Sequence, residues 1–447
     1  MNSEALDGEK ESASDSADNE DTEAEALDPE DLENEDTEAE AIASEGPENE
    51  DTEDTEAEAS DQEDSGKQND VKEEEAEKEK NEVEEKEEGE TEEEEAEEEP
   101  AVPPDIELVM VGDILLHIPV VNTAKREDGT YDFSAIFSRT KDEISKADVA
   151  LVNEEVMIGG SELGITGYPT FNAPFEIADA LHDTGFDVIL HATNHALDRG
   201  KQGIINCTTY WEENYPDIVY TGIAAREEDS KDICIYESGG YRLAILNYTY
   251  GTNGIPFPED MPYAVNMLEE ERVISDIKRA EKEADLTIIC PHWGWEYNLD
   301  KNPEQEKWAQ LFLENGADLV IGTHPHVIEP IEELRRENGE IMPIFYSIGN
   351  FVSWTSGTGN HITDRLLGGM AKVKIGYDEE GRVSVKDYKA KALICDLHRD
   401  MDGVVVYPLS EYNEEMAMKN EILRQDSKFS YEYLVNMCDE IWGERWE

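Results

Sequence analysis

The 447-residue sequence carries 111 Asp and Glu against 36 Lys and Arg, a formal charge of -75 with its nine His counted neutral. So acidic a chain lacks the basic footprint needed to track a phosphate backbone, which argues against nucleic-acid binding. Five scattered cysteines without CxxC spacing argue against a disulfide framework and say little about redox compartment.

The charge is unevenly spread. The first hundred residues hold 48 Asp and Glu and 6 Lys, which leaves 63 acidic against 30 basic residues from 101 onward, a body of -33. Residues 1–104 are nearly devoid of aromatic and large aliphatic side chains, cannot bury enough surface to offset chain entropy, and are expected to be a disordered acidic tail. NEDT recurs there at Asn19, Asn34 and Asn49, a fifteen-residue period without the apolar face a solenoid needs. The Glu-rich run from Val71 to Glu99, closed by Pro100, Pro103 and Pro104, reads as a solvated spacer, with an acidic interaction tail or cation buffer as the functional alternative. No secretory signal opens the chain, and no apolar run approaches the roughly 18 residues of a membrane span. A spacer this acidic is also what would separate an N-terminal anchor from an extracytoplasmic domain.

From Ile106 the pattern changes. IELVMVGDILLH is a buried first strand that delivers Asp113 at its C-terminal edge, where the carboxylate serves equally well as a turn cap. Tyr131 to Lys146 reads as a helix, and ADVALVNEE as a second buried strand ending in Asn153, Glu154 and Glu155. After a turn at Phe171–Pro174, Phe175 to Thr184 forms a helix with Ile177, Ala180 and Leu181 inward. In FDVILHATNHALDRG the apolar run Phe186–Leu190 gives way to His191, Thr193, Asn194, His195 and Asp198. An amide and an imidazole side by side at a strand end suit a site where one binds a metal and the other faces a reacting group. They equally suit the cap of a helix beginning near Leu197 or Lys201. A helix from Gln202 to Asn214 follows, then short strands at 218–221, 233–237 and 241–248, and a long charged helix from Glu269 to Glu283.

ADLTIICPHWGWEYN is the fourth strand-to-loop transition, with His292 and Glu296 past its end and Trp293, Trp295 and Tyr297 as wall and core. In GADLVIGTHPHVIEP a short strand from Asp318 to Gly322 turns through Thr323 into His324-Pro325-His326, because Pro325 has no N–H with which to continue a ladder. Two imidazoles so placed can aim at one point, and imidazole is the commonest side-chain metal ligand. FYSIGNFV ends a further strand at Gly349-Asn350, where Asn350 reaches the site or makes a turn. GGMAKVKIGYDEEGRVSVKDYKAKALI alternates at period two around a turn at Gly381, a hairpin. From Glu411 the pattern is helical, with Leu423, Tyr433, Leu434, Met437 and Ile441 available to pack. The expected organisation is a tail over 1–104, one α/β domain over 105–400 and a C-terminal helical extension over 401–447.

Strand ends thus collect Asp113, Glu154, Asn194 with His195, His292, and His324 with His326. Mixed oxygen and nitrogen donors without thiolate favour Mn, Fe or Zn over an iron–sulfur centre. They are too many for one tetrahedral zinc, so two ions sharing a carboxylate is the expected arrangement.

Taken in order from Val109 to Val352, GDILLH, VNEE, TNHALDRG, PHWGWEY, GADLVIGTHPHVIEPIE and YSIGNFV resemble the motif series of the CapA family. These are capsule, or poly-γ-glutamate, synthesis proteins whose domain belongs to the calcineurin-like metallophosphatase superfamily. The resemblance implies a four-layer α/β/β/α sandwich of the metallophosphatase type, two divalent ions and hydrolytic chemistry. It implies that Asp113 is the first metal-binding carboxylate, Glu154 the bridging one and Asn194 the amide ligand, with His292, His324 and His326 as remaining ligands. His195, with Asp198 nearby, takes the catalytic position, and His117, Glu296 and Asn350 are additional candidates. The superfamily's first motif is Asp-x-His, whereas His117 stands four residues after Asp113, and its bridging Asp is Glu here. The implied partners are an anionic polymer such as poly-γ-glutamate or a small phosphoester, and other capsule synthesis proteins at the membrane, in an extracytoplasmic, cell-surface setting. Two alternatives stand beside a hydrolase. One is a non-catalytic component that binds or guides the polymer, which the -33 body would repel without metals or a local basic patch. The other is a phosphodiesterase for a small phosphoester, for which no Gly-rich or basic phosphate cradle is evident.

Overall fold

The computed structural model describes residues 103–354, 361–398 and 402–447; the acidic repeats and spacer lie outside the described residues. The strands are β1 (Ile106–Ile114), β2 (Val149–Glu154), β3 (Val188–Leu190), β4 (Val219–Thr221), β5 (Cys234–Ser238), β6 (Tyr241–Thr249) and β7 (Leu286–His292), then β8 (Leu319–Ile321), β9 (Ile331–Arg335), β10 (Ile341–Phe345), β11 (Asn350–Val352), β12 (Leu367–Tyr377), β13 (Val383–Leu397) and β14 (Val404–Pro408). One sheet has the order β14-β13-β12-β1-β2-β3-β4, with β11 also on β1, and the other β5-β6-β7-β8-β10-β9. Neighbours from β1 to β4 are parallel, as are β6, β7, β8 and β10. Parallel neighbours need a long crossover. Helices Glu176–Thr184, Gly200–Asn214, Glu270–Glu283 and Pro303–Asn315 supply it.

Side-chain alternation explains the layering. Along β6, Leu243 and Ile245 join an apolar cluster with Leu108, Met110 and Ile288 of both sheets, and Cys290 Sγ meets Met110 Sδ at 3.8 Å across that interface. The intervening Ala244 and Leu246 join a second cluster with Val273, Ile277 and Phe312 of the covering helices. Helices on the outer faces and two sheets face to face make the four layers that the family resemblance implied.

One sequence device recurs at the start of four parallel strands. Asp148, Asp187, Asp285 and Asp318 each stand immediately before a strand, and each carboxylate accepts the backbone N–H of Glu107, Ala150, Arg242 and Thr287 respectively, on the preceding parallel neighbour, at 2.8–2.9 Å. The same four Asp N–H groups donate back to the carbonyls of those residues. This reciprocal pair fixes register where a fully buried ladder has no polar face to do so, and it is visible in the sequence as ADV, FDV, ADL and ADL.

Three elements differ from expectation. The helix over Tyr131–Lys146 is two short ones, Ser134–Phe137 and Lys141–Ile144, and the Thr140 hydroxyl between them donates to the Phe137 carbonyl at 3.2 Å, offering that backbone a local alternative. Helix Pro303–Asn315 was not anticipated, although its signal is present: Asn302 and Gln305 form a capping box around Pro303. The segment from 402 begins with β14 on the edge of the first sheet before the helix Tyr431–Ile441, and it belongs to the same compact unit as the rest of the described chain. Among the described residues no helix is long and apolar enough to cross a membrane.

Two predictions test this account. Asp187→Ala orphans the N–H of fully buried Ala150 and is expected to cost about 1–3 kcal/mol in urea denaturation; a loss under ~0.5 kcal/mol would mean the pairing does not hold register. Glu329 is fully buried, its Oε2 accepts from Gln305 Nε2 at 2.6 Å, and burial pushes its carboxyl from 4.5 up to about 9. Because the folded chain keeps a proton that the unfolded chain gives up, stability falls as pH rises from the unfolded pKa towards the folded one. Glu329→Gln should therefore raise Tm at pH 8 and change it little at pH 5, whereas equal changes at both would contradict a protonated Glu329.

Candidate metal centre

The C-terminal ends of β1, β2 and β3 in one sheet meet those of β7 and β8 in the other. At Asp113 the β1–β2 register shifts and β11 joins β1. A Cβ on Gly112 would lie 1.8 Å from the Gly349 carbonyl oxygen, so only glycine lets β11 close in, and that oxygen accepts the Asp113 N–H at 3.2 Å. The Asp113 carboxylate is wholly buried. It accepts from Asn153 Nδ2 at 2.8 Å and from the His324 N–H at 3.2 Å, and it lies 3.4 Å from His326 Nδ1 and 3.8 Å from His292 Nδ1.

Glu155 stands one residue beyond β2. Its Oε1 is 3.8 Å from His292 Nε2 and 3.7 Å from His326 Nε2, and among the described residues neither carboxylate oxygen has a hydrogen-bond partner; buried His324 Nδ1 likewise has none there. Three sets of donor atoms each fall within 4.8 Å of one another: Glu155 with His292 and His324, Asp113 with Glu155 and His326, and Glu296 with His324 and His326. Asn194 Oδ1 adds a further oxygen 2.9 Å from His292 Nε2. Glu155 is common to the first two sets, so two overlapping positions share one carboxylate.

Glu154, expected in that shared role, is in none of these sets. Successive residues of a strand face opposite ways, and with Asn153 and Glu155 turned to the centre Glu154 faces the helix layer. There its charge bears on Cys207, and both its oxygens are buried without partners among the described residues. Glu155, one residue further on, is the carboxylate that two of the sets have in common. VNEE is buried on both faces of the sheet, which left no polarity pattern to choose between the two glutamates.

The other candidates gather as follows. His195 Nδ1 lies 2.7 Å from Asp198 Oδ2, which also accepts the Phe171 N–H at 2.6 Å, and the imidazole packs edge-on against the Phe171 ring. The opposite ring nitrogen has Asn253 Nδ2 at 3.5 Å, and Asn253 Oδ1 accepts from Asn194 at 3.2 Å. His117 is in no donor set; burial first, then the charges of His326, His195 and Arg365, lower its pKa to about 3. Glu296 is exposed at the rim. Asn350 holds rather than opposes the cluster: Oδ1 lies 3.0 Å from His326 Nδ1, while Nδ2 donates to the carbonyls of His326 and Arg365 at 3.0 and 2.9 Å. Asn253 and Arg365 were not anticipated, since no motif spacing ties them to the histidines, while Asn153 belongs to the VNEE strand end and its amide bonds Asp113.

His324 and His326 adopt φ of 100° and 59° on either side of Pro325. Such conformations cost about 1–3 kcal/mol each in a non-glycine residue and persist where the surroundings over-determine them. Here Asp113 takes the His324 N–H, Asn350 takes both ends of His326, and the Pro325 carbonyl accepts the Tyr297 N–H at 2.8 Å.

The electrostatics show what the cluster lacks. Burial raises the Glu155 carboxyl well above the usual range, with Asp113 and Glu296 adding repulsion against the attraction of His326. Burial and neighbouring imidazoles push His292 and His324 well below theirs. Burial opposes charge on His326 as well, but Glu155 and Asp113 outweigh it and hold that ring up at about 10. Crowded carboxylates and imidazoles with orphaned lone pairs suit a divalent cation, which would neutralise the acids and take up the unpartnered nitrogens and oxygens.

Fold and cluster together define a two-sheet α/β protein with a buried nitrogen and oxygen donor centre where the parallel strands of two mixed sheets meet. The family model "Bacterial capsule synthesis protein PGA_cap" matches residues 107–355, and the chain belongs to that family. It is 33% identical over 236 residues to the PGA biosynthesis protein CapA of Bacillus subtilis (strain 168), covering 50% of this chain and 60% of that relative. It is 28% identical over 261 residues to the capsule biosynthesis protein CapA of Bacillus anthracis, covering 56% and 61%. The chain thus spans about three-fifths of the length of each. Among solved structures, the 5'-nucleotidase precursor of Thermus thermophilus aligns at a TM-score of 0.40 and 14% identity, covering 75% of this chain and 59% of that one. The NAD nucleotidase of Haemophilus influenzae aligns at 0.40 and 12%, covering 77% and 64%. The family assignment rests on the match over 107–355 and not on these.

Glu155→Gln is expected to lower the divalent metal retained by protein purified without chelator, while Glu154→Gln keeps the full complement. Elemental analysis of the two variants checks this, and the reverse order would return the bridging role to Glu154.

Proposed function

We propose that this chain is a capsule or poly-γ-glutamate biosynthesis protein whose two-sheet domain acts as a metal-dependent hydrolase of the metallophosphatase type, at the cell surface. The observation that carries this reading is the sharing of the unpartnered Glu155 carboxylate between two sets of buried imidazole donors. Asp113, Glu155 and His326 would hold one ion, and Glu155, His292 and His324 with Asn194 the other; their hard and borderline atoms suit Mn, Fe or Zn. When bound, such a pair supplies a polarised scissile group and a water whose pKa falls from 15.7 towards roughly 7.

The protein's own contribution lies in His195 and Asp198. Asp198, anchored by the Phe171 N–H, stabilises the charged imidazole through Nδ1 and fixes the ring. The opposite nitrogen is then presented to protonate the leaving atom or to steady the charge that develops on it. Asn194, tied to Asn253, keeps its carbonyl oxygen on His292, so its amide cannot flip without breaking that bond. The names of the relatives point to a polymer setting, in which the cleaved bond is a γ-glutamyl amide; the same centre suits a phosphoester.

The test is turnover of bis-p-nitrophenyl phosphate and of γ-glutamyl-p-nitroanilide by protein loaded with Mn, Fe or Zn. Hydrolysis of at least one substrate is expected, abolished by chelation and reduced about 10²-fold or more by His195→Ala. A protein that retains metal and stays inert towards both with all three metals is a polymer-guiding component and not a hydrolase.

A further inference from the structure

We propose that Tyr250 is a further catalytic residue of this centre, its phenolic hydroxyl donating a hydrogen bond to the oxygen on which negative charge builds during hydrolysis. The role rests on the metal-hydrolase reading above, and an oxyanion titration tests it separately from turnover.

Tyr250 follows directly on β6, whose last residue Thr249 pairs with His292 in the parallel ladder. Its N–H donates to the His292 carbonyl at 3.1 Å, so its backbone is tied to a donor-bearing strand end. The loop beyond closes on itself. The Thr252 hydroxyl donates to the Ile255 carbonyl at 2.8 Å, and the Ile255 N–H donates back to the Thr252 carbonyl at 2.9 Å. Asn253 and Gly254 turn the chain between them at φ of 51° and 71°. One short loop therefore carries both Tyr250 and Asn253 to the centre.

The surroundings of the phenol place its polar head. Its ring centroid lies 4.6 Å from that of the His324 imidazole. Partial burial first, then the charges of Glu296 and Glu155, push this phenol up, while a hydrogen bond from the Asn194 amide pulls the other way. The hydroxyl is thus in reach of the rim carboxylate, of the shared carboxylate and of the amide next to His195. The Asn194 side chain is then fully employed. Its Oδ1 lies 2.9 Å from His292 Nε2, and Nδ2 has one hydrogen for Asn253 Oδ1 at 3.2 Å and one for Tyr250. A phenol that accepts from an amide still has its own hydrogen to give.

Exposure separates Tyr250 from the groups it touches. Asn194, His195, His292 and His324 are at most 6% exposed, whereas Tyr250 is 47% exposed. A side chain with one edge in solvent and its polar head among buried donors stands where a reacting group enters. An oxygen that gains charge near Glu155 and Glu296 needs a hydrogen-bond donor without negative charge of its own. A phenol, with an ordinary pKa of about 10, holds its proton at neutral pH and meets that need. His195 and Tyr250 then divide the work. The imidazole gives its proton to the leaving atom, while the phenol keeps its O–H bond and only directs that dipole at the charged oxygen.

The experiment uses the full chain incubated with Mn and carrying Tyr250→Phe, which keeps the ring against His324 and removes only the hydroxyl. Turnover of bis-p-nitrophenyl phosphate and γ-glutamyl-p-nitroanilide is measured, tungstate is titrated calorimetrically as a tetrahedral oxyanion, and bound Mn is determined in parallel. The variant is expected to lose about 10²-fold in kcat at unchanged KM. Tungstate binding should weaken about tenfold, with Mn stoichiometry and Tm unchanged. A hydroxyl that served only to hold Asn194 would cost Mn instead, so loss of Mn in the variant overturns the proposal. Equal kcat and equal tungstate affinity in the two proteins would also overturn it, as would failure of the unaltered protein to bind tungstate. If the unaltered protein turns over neither substrate, the hydrolase reading fails. The difference in tungstate affinity then still decides whether Tyr250 donates to an oxyanion.

Discussion

The structure depends on a conflict of charge at one buried point. Asp113, Glu155, His292, His324 and His326 are all shielded from water, and they hold carboxylates close enough to repel and imidazoles too crowded for all to ionise. Asp113 answers its burial with hydrogen bonds from Asn153 and the His324 N–H. Glu155 and His324 Nδ1 are left without such answers. Orphaned buried polar atoms are costly and persist where something else satisfies them. A divalent cation would relieve the repulsion and the orphaned atoms together.

The rest of the architecture can be understood as what brings that conflict about. Two parallel ladders meet at their C-terminal edges, and the apolar strands behind them leave no polar alternative for residues at the seam. The aspartates that open β2, β3, β7 and β8 lock each ladder to its neighbour at the far end, so the near ends arrive in a fixed stagger. Gly112 admits β11 against β1, and the two left-handed histidine backbones turn their rings inward. The C-terminal segment adds a strand to the sheet edge and steadies the turn bearing Arg365 through Tyr433 and Asp426. It therefore belongs to the account of the site as well as of the fold.

Much of this was legible in the residues and some was not, for physical reasons. Apolar runs that stop abruptly at Asp113, His292 and His324 announce strand ends, because a buried parallel strand has no other way to end in a polar cluster. The order of those endings carried the family resemblance and with it the four layers. Glu154 and Glu155 could not be separated, since both faces of β2 are covered and alternation leaves no trace in composition. Helix Pro303–Asn315 has its start marked by Asn302, Pro303 and Gln305, but its charged residues mask the apolar stripe that would reveal it. Asn253 and Arg365 reach the centre only through tertiary packing, from a loop and a short turn that no periodicity marks.

The central claim is that Glu155 is the carboxylate shared by two divalent ions, and anomalous diffraction from crystals grown with Mn tests it most directly. The account predicts two peaks, one within coordination reach of Asp113, Glu155 and His326 and the other of Glu155, His292 and His324. A single peak at Glu154, or crystals with none near these residues, would contradict it.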